Sequence, residues 1–475
     1  MDSKAYDYGV HYKPSSVSNK ALTLDQLKQS NISYVRVQVL DYTNTVRCRI
    51  LSVPYFLAML DSTRPGMGIS KAVLGAVFHT LAEGFSSSGE YLCVPDLSSL
   101  RICPYSPKHA AVMAWLQEKT PYPSADNKLT VDVQLCPRAI LQRIVRRANA
   151  SGVSFLVGFE SEFILLKSTR PVEAVQEHYP MDTKALLAGS IEEKLLEEIS
   201  DGIQASGIEL QLYHAEAAPG QFEVVTGPLT PLEAADALVH TREIILHTAA
   251  KHGLRATFAP RINTSAPGSS AHVHISVHSQ RAIKTAEALS SPESSFLASL
   301  LTNLPAVTAL TMPIPVSYQR MVDGIWSGGT YVSWGTENRE APIRLTNATS
   351  PSSRNFEIRC VDATANPYIA LAGILGLGLD GIEKGVELTM QDCPGPVPAA
   401  NMTEEGRRAL GITTRMPLSW EESRSKFKMN KLLTESILGP EFTETYLVVN
   451  QCLAESLNAG GEDDEANLRR LVEFY

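Results

Sequence analysis

One short run of this 475-residue chain constrains its fold more than any other. VGFESEFILL, residues 157–166, alternates so that Glu160 and Glu162 share one face of a strand while Phe159 and Phe163 share the other. Two carboxylates side by side within an apolar run repel each other, and if they were buried without partners one would have to take up a proton. Divalent cations are the natural compensation, so the run reads as one wall of a cation site. A solvated face for both glutamates is the plain alternative.

Further segments repeat the theme. HAEAAPGQFEVV sets Glu216 and Glu223 on either side of Pro219-Gly220, a turn signal that folds two acids toward each other. AHVHISVH puts His272 and His274 on one face and Val273 and Ile275 on the other, and FEIR aligns Glu357 with Arg359. Either histidine alone reads as readily as an ordinary hydrogen-bonded residue. Together, the strand-borne carboxylates and a histidine suit Mg²⁺ or Mn²⁺ better than structural zinc. Arg320, Arg339, Arg344 and Arg359 fall in loops or strand ends around these acids, and their forks match carboxylate or phosphate. Metal with arginine stabilises a transferring phosphoryl group.

The length allows two or three domains, since single cores rarely grow beyond roughly 250 residues. Residues 1–20 read as an extension and 21–107 as a first unit, with a helix at LTLDQLKQS and strands at SYVRVQVLDY and TVRCRILSV turning at Asp41–Asn44. A polar, proline-bearing stretch, QEKTPYPSADNKLTVDVQ, reads as a surface connection at the start of a second unit, 108–475. Helices and strands then mix without a strict βαβ rhythm. Gly376, Gly378 and Gly381 match GxGxxG, but inside the helix that follows Asn366-Pro367, so they read as helix packing and not as a nucleotide loop.

A net charge of −9 without a basic stripe argues against nucleic acid. No uninterrupted apolar run reaches the ~18 residues of a membrane span, and no signal peptide is visible, so a cytoplasmic protein is expected. The seven cysteines show neither zinc nor disulfide spacing.

The motifs in order resemble those of the glutamine synthetase family. GFESEF, EAAPGQFE, PGSSAHVHIS, ENREAPIR and FEIRCVDATANPYIALAGILGLGLDGI each look like a family motif, and VPDLSSLRICPY extends the likeness toward the N-terminus. The resemblance implies an α+β protein: an N-terminal β-grasp domain and a catalytic domain with a curved antiparallel sheet flanked by helices. By matching position it implies one metal on Glu162, Glu216 and Glu223, and a second, on the ATP side, on Glu160, His272 and Glu357. His274, Ser276 and Arg344 would face ATP, while Arg320, Arg359 and the backbone of Gly268 would hold the substrate carboxylate. Arg339 would stabilise phosphoryl transfer. The implied reaction uses ATP and Mg²⁺ or Mn²⁺ to join a carboxylate, glutamate being the expected acid, to an amine through an acyl phosphate, in a homo-oligomeric ring.

Three departures stand out, the first two bearing on the acceptor and the third on the glutamate and adenine contacts. Trp326 stands where the family carries a flap glutamate, PGMGISKA (65–72) stands where it carries the Asp-Gly-Ser that binds ammonium, and Pro267 and Asn355 replace its asparagine and arginine. The Trp326 loop is similar to the glutamine synthetase-like domains of fungal FluG-type proteins and of γ-glutamylamine ligases. An organic amine is therefore the expected acceptor, covered by Trp326. An ordinary ammonia-using synthetase, with Asp323 or Glu337 standing in for the missing acids, is one alternative, and an assembly or signalling protein without turnover is another. Removing Glu162 or Glu357 is expected to abolish ligation without lowering metal-free stability.

Overall fold

The computed structural model describes residues 7–124, 126–279, 282–286, 288–324 and 327–475. After a short helix, α1 (Leu24–Gln29), closed by a capping box between Thr23 and Gln26, the chain enters a seven-stranded sheet. Its strands are β1 (Tyr34–Leu40), β2 (Val46–Ser52), β3 (Met67–Ser70), β4 (Glu90–Pro95), β5 (Arg101–Ile102), β6 (His109–Pro123) and β7 (Leu129–Asp132). They run in the order β2-β1-β6-β4-β3, with β5 and β7 also on β6. The turn expected at Asp41–Asn44 is present: Asp41 Oδ1 accepts from the Thr43 and Thr45 N–H groups at 2.9 and 3.0 Å, and Asn44 takes φ 64°.

The boundary expected at 107/108 does not divide the sheets. β6 pairs in parallel with β1 and antiparallel with β4, and QEKTPYPSADNKLTVDVQ is not a bare connection but the end of β6 returning as β7. Beyond Glu118 β6 leaves β4 and pairs only with β7, so Pro121 and Pro123 lack an N–H where one side needs no ladder bond.

The second sheet has nine strands: β8 (Val153–Thr169), β9 (Val172–Ala174), β10 (Leu210–Ala215), β11 (Gln221–Leu229), β12 (Arg255–Thr257), β13 (Val273–Ser279), β14 (Trp334–Thr336), β15 (Ile343–Thr346) and β16 (Asn355–Ile358). The order is β10-β11-β8-β13-β16-β15-β14, with β9 and β12 on β8. It is antiparallel except for β14 and β15, which run parallel, so the sheet is mixed and not purely antiparallel. Long alternation in β8 gives it neighbours on both edges and makes it the spine of the sheet.

A short helix, α2 (Val53–Leu60), packs on β2; behind the second sheet pack α3 (Pro137–Ala150), α5 (Pro231–Lys251), α6 (Ser291–Thr311) and α7 (Pro367–Lys384), with α4 (Ile191–Ala205) on α5. Asn366 caps α7 through the Tyr368 and Ile369 N–H groups, with Pro367 at the first turn where its missing donor is not needed. The GxGxxG glycines do lie inside α7. A Cβ at Gly378 would enter the Phe296 ring of α6, and one at Gly381 would meet the Ser295 carbonyl. They permit close helix approach, as the sequence context implied. Gly378→Ala is expected to lower stability by about 1–3 kcal/mol through overpacking, seen as an earlier thermal transition; an unchanged transition would remove that role. α6 has the length and composition of a membrane span, yet 83% of its apolar window is buried inside the protein as a core helix.

A buried ionic cluster ties the two units. Arg138 on α3 forks Asp236 on α5 at 3.0 and 2.6 Å, reaches Asp96 at 2.8 Å, and stacks on Trp115 of β6, while the Tyr368 hydroxyl donates to Asp236 at 2.6 Å.

Candidate active site

The concave face of the nine-stranded sheet lines a cavity of about 960 Å³. Cross-strand register places its charged side chains in two rows. In one, His214 on β10 faces Glu223 on β11, which faces Glu162 on β8. In the other, Gly158 on β8 faces His274 on β13, which faces Glu357 on β16, which faces Arg344 on β15. The two rows meet β8 four residues apart, roughly 13 Å along one strand, with Glu160 between them on the same face.

Two clusters result. His214, Glu216 and Glu223 bring ligand atoms within 4.8 Å of one another, and so do Glu160, His274 and Glu357. This grouping differs from the implied one at two places. Glu162 faces Glu223, but its carboxylate is turned to Gln221 Nε2 at 2.7 Å and the Ser270 N–H at 2.9 Å, and His214 takes the third position. His272 lies against the second cluster, with Nδ1 2.6 Å from Glu160 Oε2 and 3.3 Å from Glu357 Oε1, while His274 Nε2 is 2.9 Å from Glu160 Oε1. His274 is thus held between Glu160 and Asn355 Oδ1, the latter at 2.9 Å from Nδ1.

Arg320, Arg339, Arg344 and Arg359 all line the cavity. Arg359 Nη1 donates to Glu357 Oε1, and Arg344 Nε lies against Glu357 Oε2. Arg320 is buried and reaches the Val361 carbonyl at 3.3 Å. Gly268 packs so closely that a Cβ there would stand 2.6 Å from Arg320 Cγ and collide with the Pro260 carbonyl. Arg339 and Ser276 line the same cavity, Ser276 Oγ 2.8 Å from His278 Nε2. Trp326 lies outside the described residues. Asp323 and Glu337 are engaged elsewhere: Asp323 accepts from Thr330 N and Oγ1 at 2.9 and 2.8 Å, and Glu337 from the Asn347 N–H at 2.7 Å.

The sequence reading did not single out His214, Gln221, Ser270, His278 or Lys284, all of which line the cavity. His214 carried a usable signal, since it precedes Glu216 by two residues on one strand and so shares its face. Ser270 and Lys284 carried none, because they arrive from segments without periodicity.

The electrostatics divide the carboxylates into two kinds. Burial, with Glu223 and Glu216 nearby, pushes Glu162 up to about 8, and burial with the charges of Glu160 and Glu216 pushes Glu223 to about 7. These acids are short of positive charge. Burial alone would also raise Glu160 and Glu357, but His272 and His274 hold Glu160 well below the usual range, and Arg359 with His272 holds Glu357 below it. A hydrogen bond to Glu223 raises His214 to about 9, whereas burial and Arg359 lower His272 to about 4.

A hard divalent cation fits this donor set. His272 Nε2 is buried with no hydrogen-bond partner among the described residues. With Nδ1–H donating a hydrogen bond to Glu160, a neutral imidazole keeps a free lone pair at Nε2, the arrangement of a histidine ligand oriented by a carboxylate. The raised acids of the other cluster are what remains when carboxylates converge without a cation.

Comparison with known proteins agrees in family and fold. The glutamine synthetase catalytic domain family matches residues 134–467. The chain is similar to Protein fluG of Emericella nidulans, at 36% identity over 98% of this chain and 51% of that protein, so it spans about half of that relative's length. It is similar to Gamma-glutamylpolyamine synthetase GlnA3 of Streptomyces coelicolor at 32% identity, covering 80% of each chain. Glutamate–isopropylamine ligase of a Pseudomonas species is 29% identical over 76% of this chain and 80% of that protein. Among solved structures, the GmaS/ADP complex superposes with a TM-score of 0.76 at 22% identity, covering 95% of this chain and 100% of the other, a likeness of fold.

Proposed function

Because the chain belongs to the glutamine synthetase family, we propose that it is an ATP-dependent ligase that joins the γ-carboxylate of glutamate to an organic amine through an acyl phosphate. The observation that carries this reading is the pair of cation-suited clusters set along β8 in one cavity with Arg320, Arg339, Arg344 and Arg359. In this reading Arg320, Arg359 and the Gly268 backbone hold the carboxylate. Arg344, His274 and Ser276 meet the nucleotide phosphates, and Arg339 balances charge on the group in flight. Glu162, Glu216 and Glu223, joined by His214, hold one Mg²⁺ or Mn²⁺, and Glu160, Glu357 and the His272 lone pair hold the other. When bound, these cations neutralise phosphate and carboxylate oxygens that would otherwise repel. A carboxylate oxygen attacks the γ-phosphorus and ADP leaves; the neutral amine nitrogen then attacks the acyl carbon, phosphate leaves with that oxygen, and the proton shed by the nitrogen goes to the leaving phosphate. The same reading makes the N-terminal sheet a β-grasp domain and the assembly a ring of identical subunits, which a stable, active monomer in light scattering would remove.

The acceptor follows from the acids that are missing. Ammonia in water is chiefly ammonium, and its use requires anionic groups to gather the cation and take its proton. Asp323 and Glu337, the two stand-ins, are each bound to backbone elsewhere, and neither is among the described residues that line the cavity. In this reading the large apolar ring of Trp326 replaces the acid expected at that place in the sequence, and a charged amine would be attracted to such a ring by ~0.5 to 2 kcal/mol. Two of the similar proteins carry names for glutamyl ligation to an organic amine, isopropylamine and polyamine. The test is the specificity constant for ammonium against a panel of primary amines and polyamines. At least one amine is expected to exceed ammonium, and Trp326→Glu is expected to shift preference toward ammonium. Ammonium exceeding every amine would overturn the acceptor and spare the ligase.

A further inference from the structure

Beyond the two clusters, the geometry points to residues 7–13 as a strap that closes the nucleotide end of the cavity, with Tyr12 and Val10 forming the outer wall of the pocket for the base. This rests on the phosphate assignment above. The strap is anchored on opposite sides of β8. At one end the Tyr8 N–H donates to Ser350 Oγ at 3.0 Å, and Ser353 Oγ donates to the Tyr8 carbonyl at 2.7 Å, on the loop between β15 and β16. At the other the Tyr12 hydroxyl donates to Glu209 Oε1 at 2.5 Å and accepts from Gln211 Nε2 at 2.8 Å, at β10. Four strand spacings separate β10 from β16, ~19 Å if the sheet were flat, whereas four residue steps reach at most ~14 Å. The strap therefore spans a mouth already narrowed by curvature, and Val10 and Tyr12 line the cavity beneath it.

Position along β8 selects the ligand. The strap end is walled by Leu156 and Leu210, with Ser276 directly opposite Leu156, while Leu212 and Val225 stand level with Glu160. Leu156 lies six residues, roughly 20 Å, from Glu162, beside which Gly268 and Ser270 close the carboxylate end. A group at the strap is thus far from the reacting carbonyl, and past Ser276 the part of ATP left to place is the nucleoside. Leu212 is 47% and Val10 68% exposed, apolar surface that a flat base would cover. The anchors are a few hydrogen bonds among hydroxyl, amide and carboxylate groups at the two ends of the strap, few enough to release for nucleotide exchange.

The experiment measures ADP affinity with Mg²⁺ by calorimetry, for the full chain, for Tyr12→Ala and for Tyr12→Phe, alongside the KM values for ATP and glutamate. Tyr12→Ala is expected to weaken ADP about threefold to tenfold, the range of an aromatic contact, with a matching rise in the KM for ATP and none in that for glutamate. Tyr12→Phe keeps the ring and loses the anchors, so a smaller loss is expected, with backbone amides 8–12 exchanging hydrogen faster in the ADP complex. Unchanged ADP affinity in Tyr12→Ala, with the full chain binding ADP, would overturn the strap and leave the ligase reading intact. A full chain that binds no ADP would overturn both.

Discussion

Glutamine at position 162 and glutamine at position 357 are each expected to end turnover while moving the stability of the metal-free protein in opposite directions. Loss of activity, at least about a hundredfold, follows in both cases from removing charge where phosphoryl groups meet. Stability differs because the two acids have opposite surroundings. Glu357 is fully buried between Arg344, Arg359 and His272, so neutralising it strands positive charge and should cost about 3–5 kcal/mol. This corrects the expectation that removing Glu357 leaves stability untouched. Glu162 faces Glu223 and is pushed up to about 8 by burial and its acidic neighbours. A glutamine there still accepts from Gln221 and the Ser270 N–H, and Ser270 Oγ turns from donor to acceptor. The metal-free Glu162→Gln protein should unfold later than the parent at pH 8. If both variants shift in the same direction, the division of the acids is wrong.

Saturating Mg²⁺ or Mn²⁺ is expected to raise the unfolding temperature by a few degrees at pH 8, a gain of about 2.7 kcal/mol at a hundred times Kd. The gain should shrink toward pH 5. Glu162 and Glu223 rise from 4.5 in the ordinary state to about 8 and about 7 in the folded one. The stability contributed by their protonated forms is full below 4.5 and is lost as pH rises through 7 and 8, while cations bind the ionised forms. A thermal shift independent of pH would contradict the convergence of these acids.

Much of this site was legible because strands write their faces into sequence at period two. Glu160 with Glu162, His272 with His274, and Glu357 with Arg359 could be paired before any strand was placed beside another. The alternation could not say which strand neighbours which. The fold sets His214 beside Glu216 and Glu223, and both His272 and His274 beside Glu160 and Glu357. Cross-strand register sets that choice, and register depends on partners far apart in the chain, such as Gly158 with His274 and His274 with Glu357. The same limit hid β6 and β7: prolines that read as a loop are tolerated because one side of β6 goes unpaired there. The strap was invisible for a further reason, since residues 7–13 have no periodicity and hold their place through single side chains.

In the proposed reaction a carboxylate is activated by phosphoryl transfer in this cavity, and oxygen carries the record of that step. Glutamate labelled with ¹⁸O in its γ-carboxylate, turned over with ATP, Mg²⁺ and an accepted amine, should deliver one labelled oxygen to inorganic phosphate for each amide formed, as read by mass spectrometry. Amide formed alongside unlabelled phosphate, or no amide with any amine or with ammonium, would contradict it.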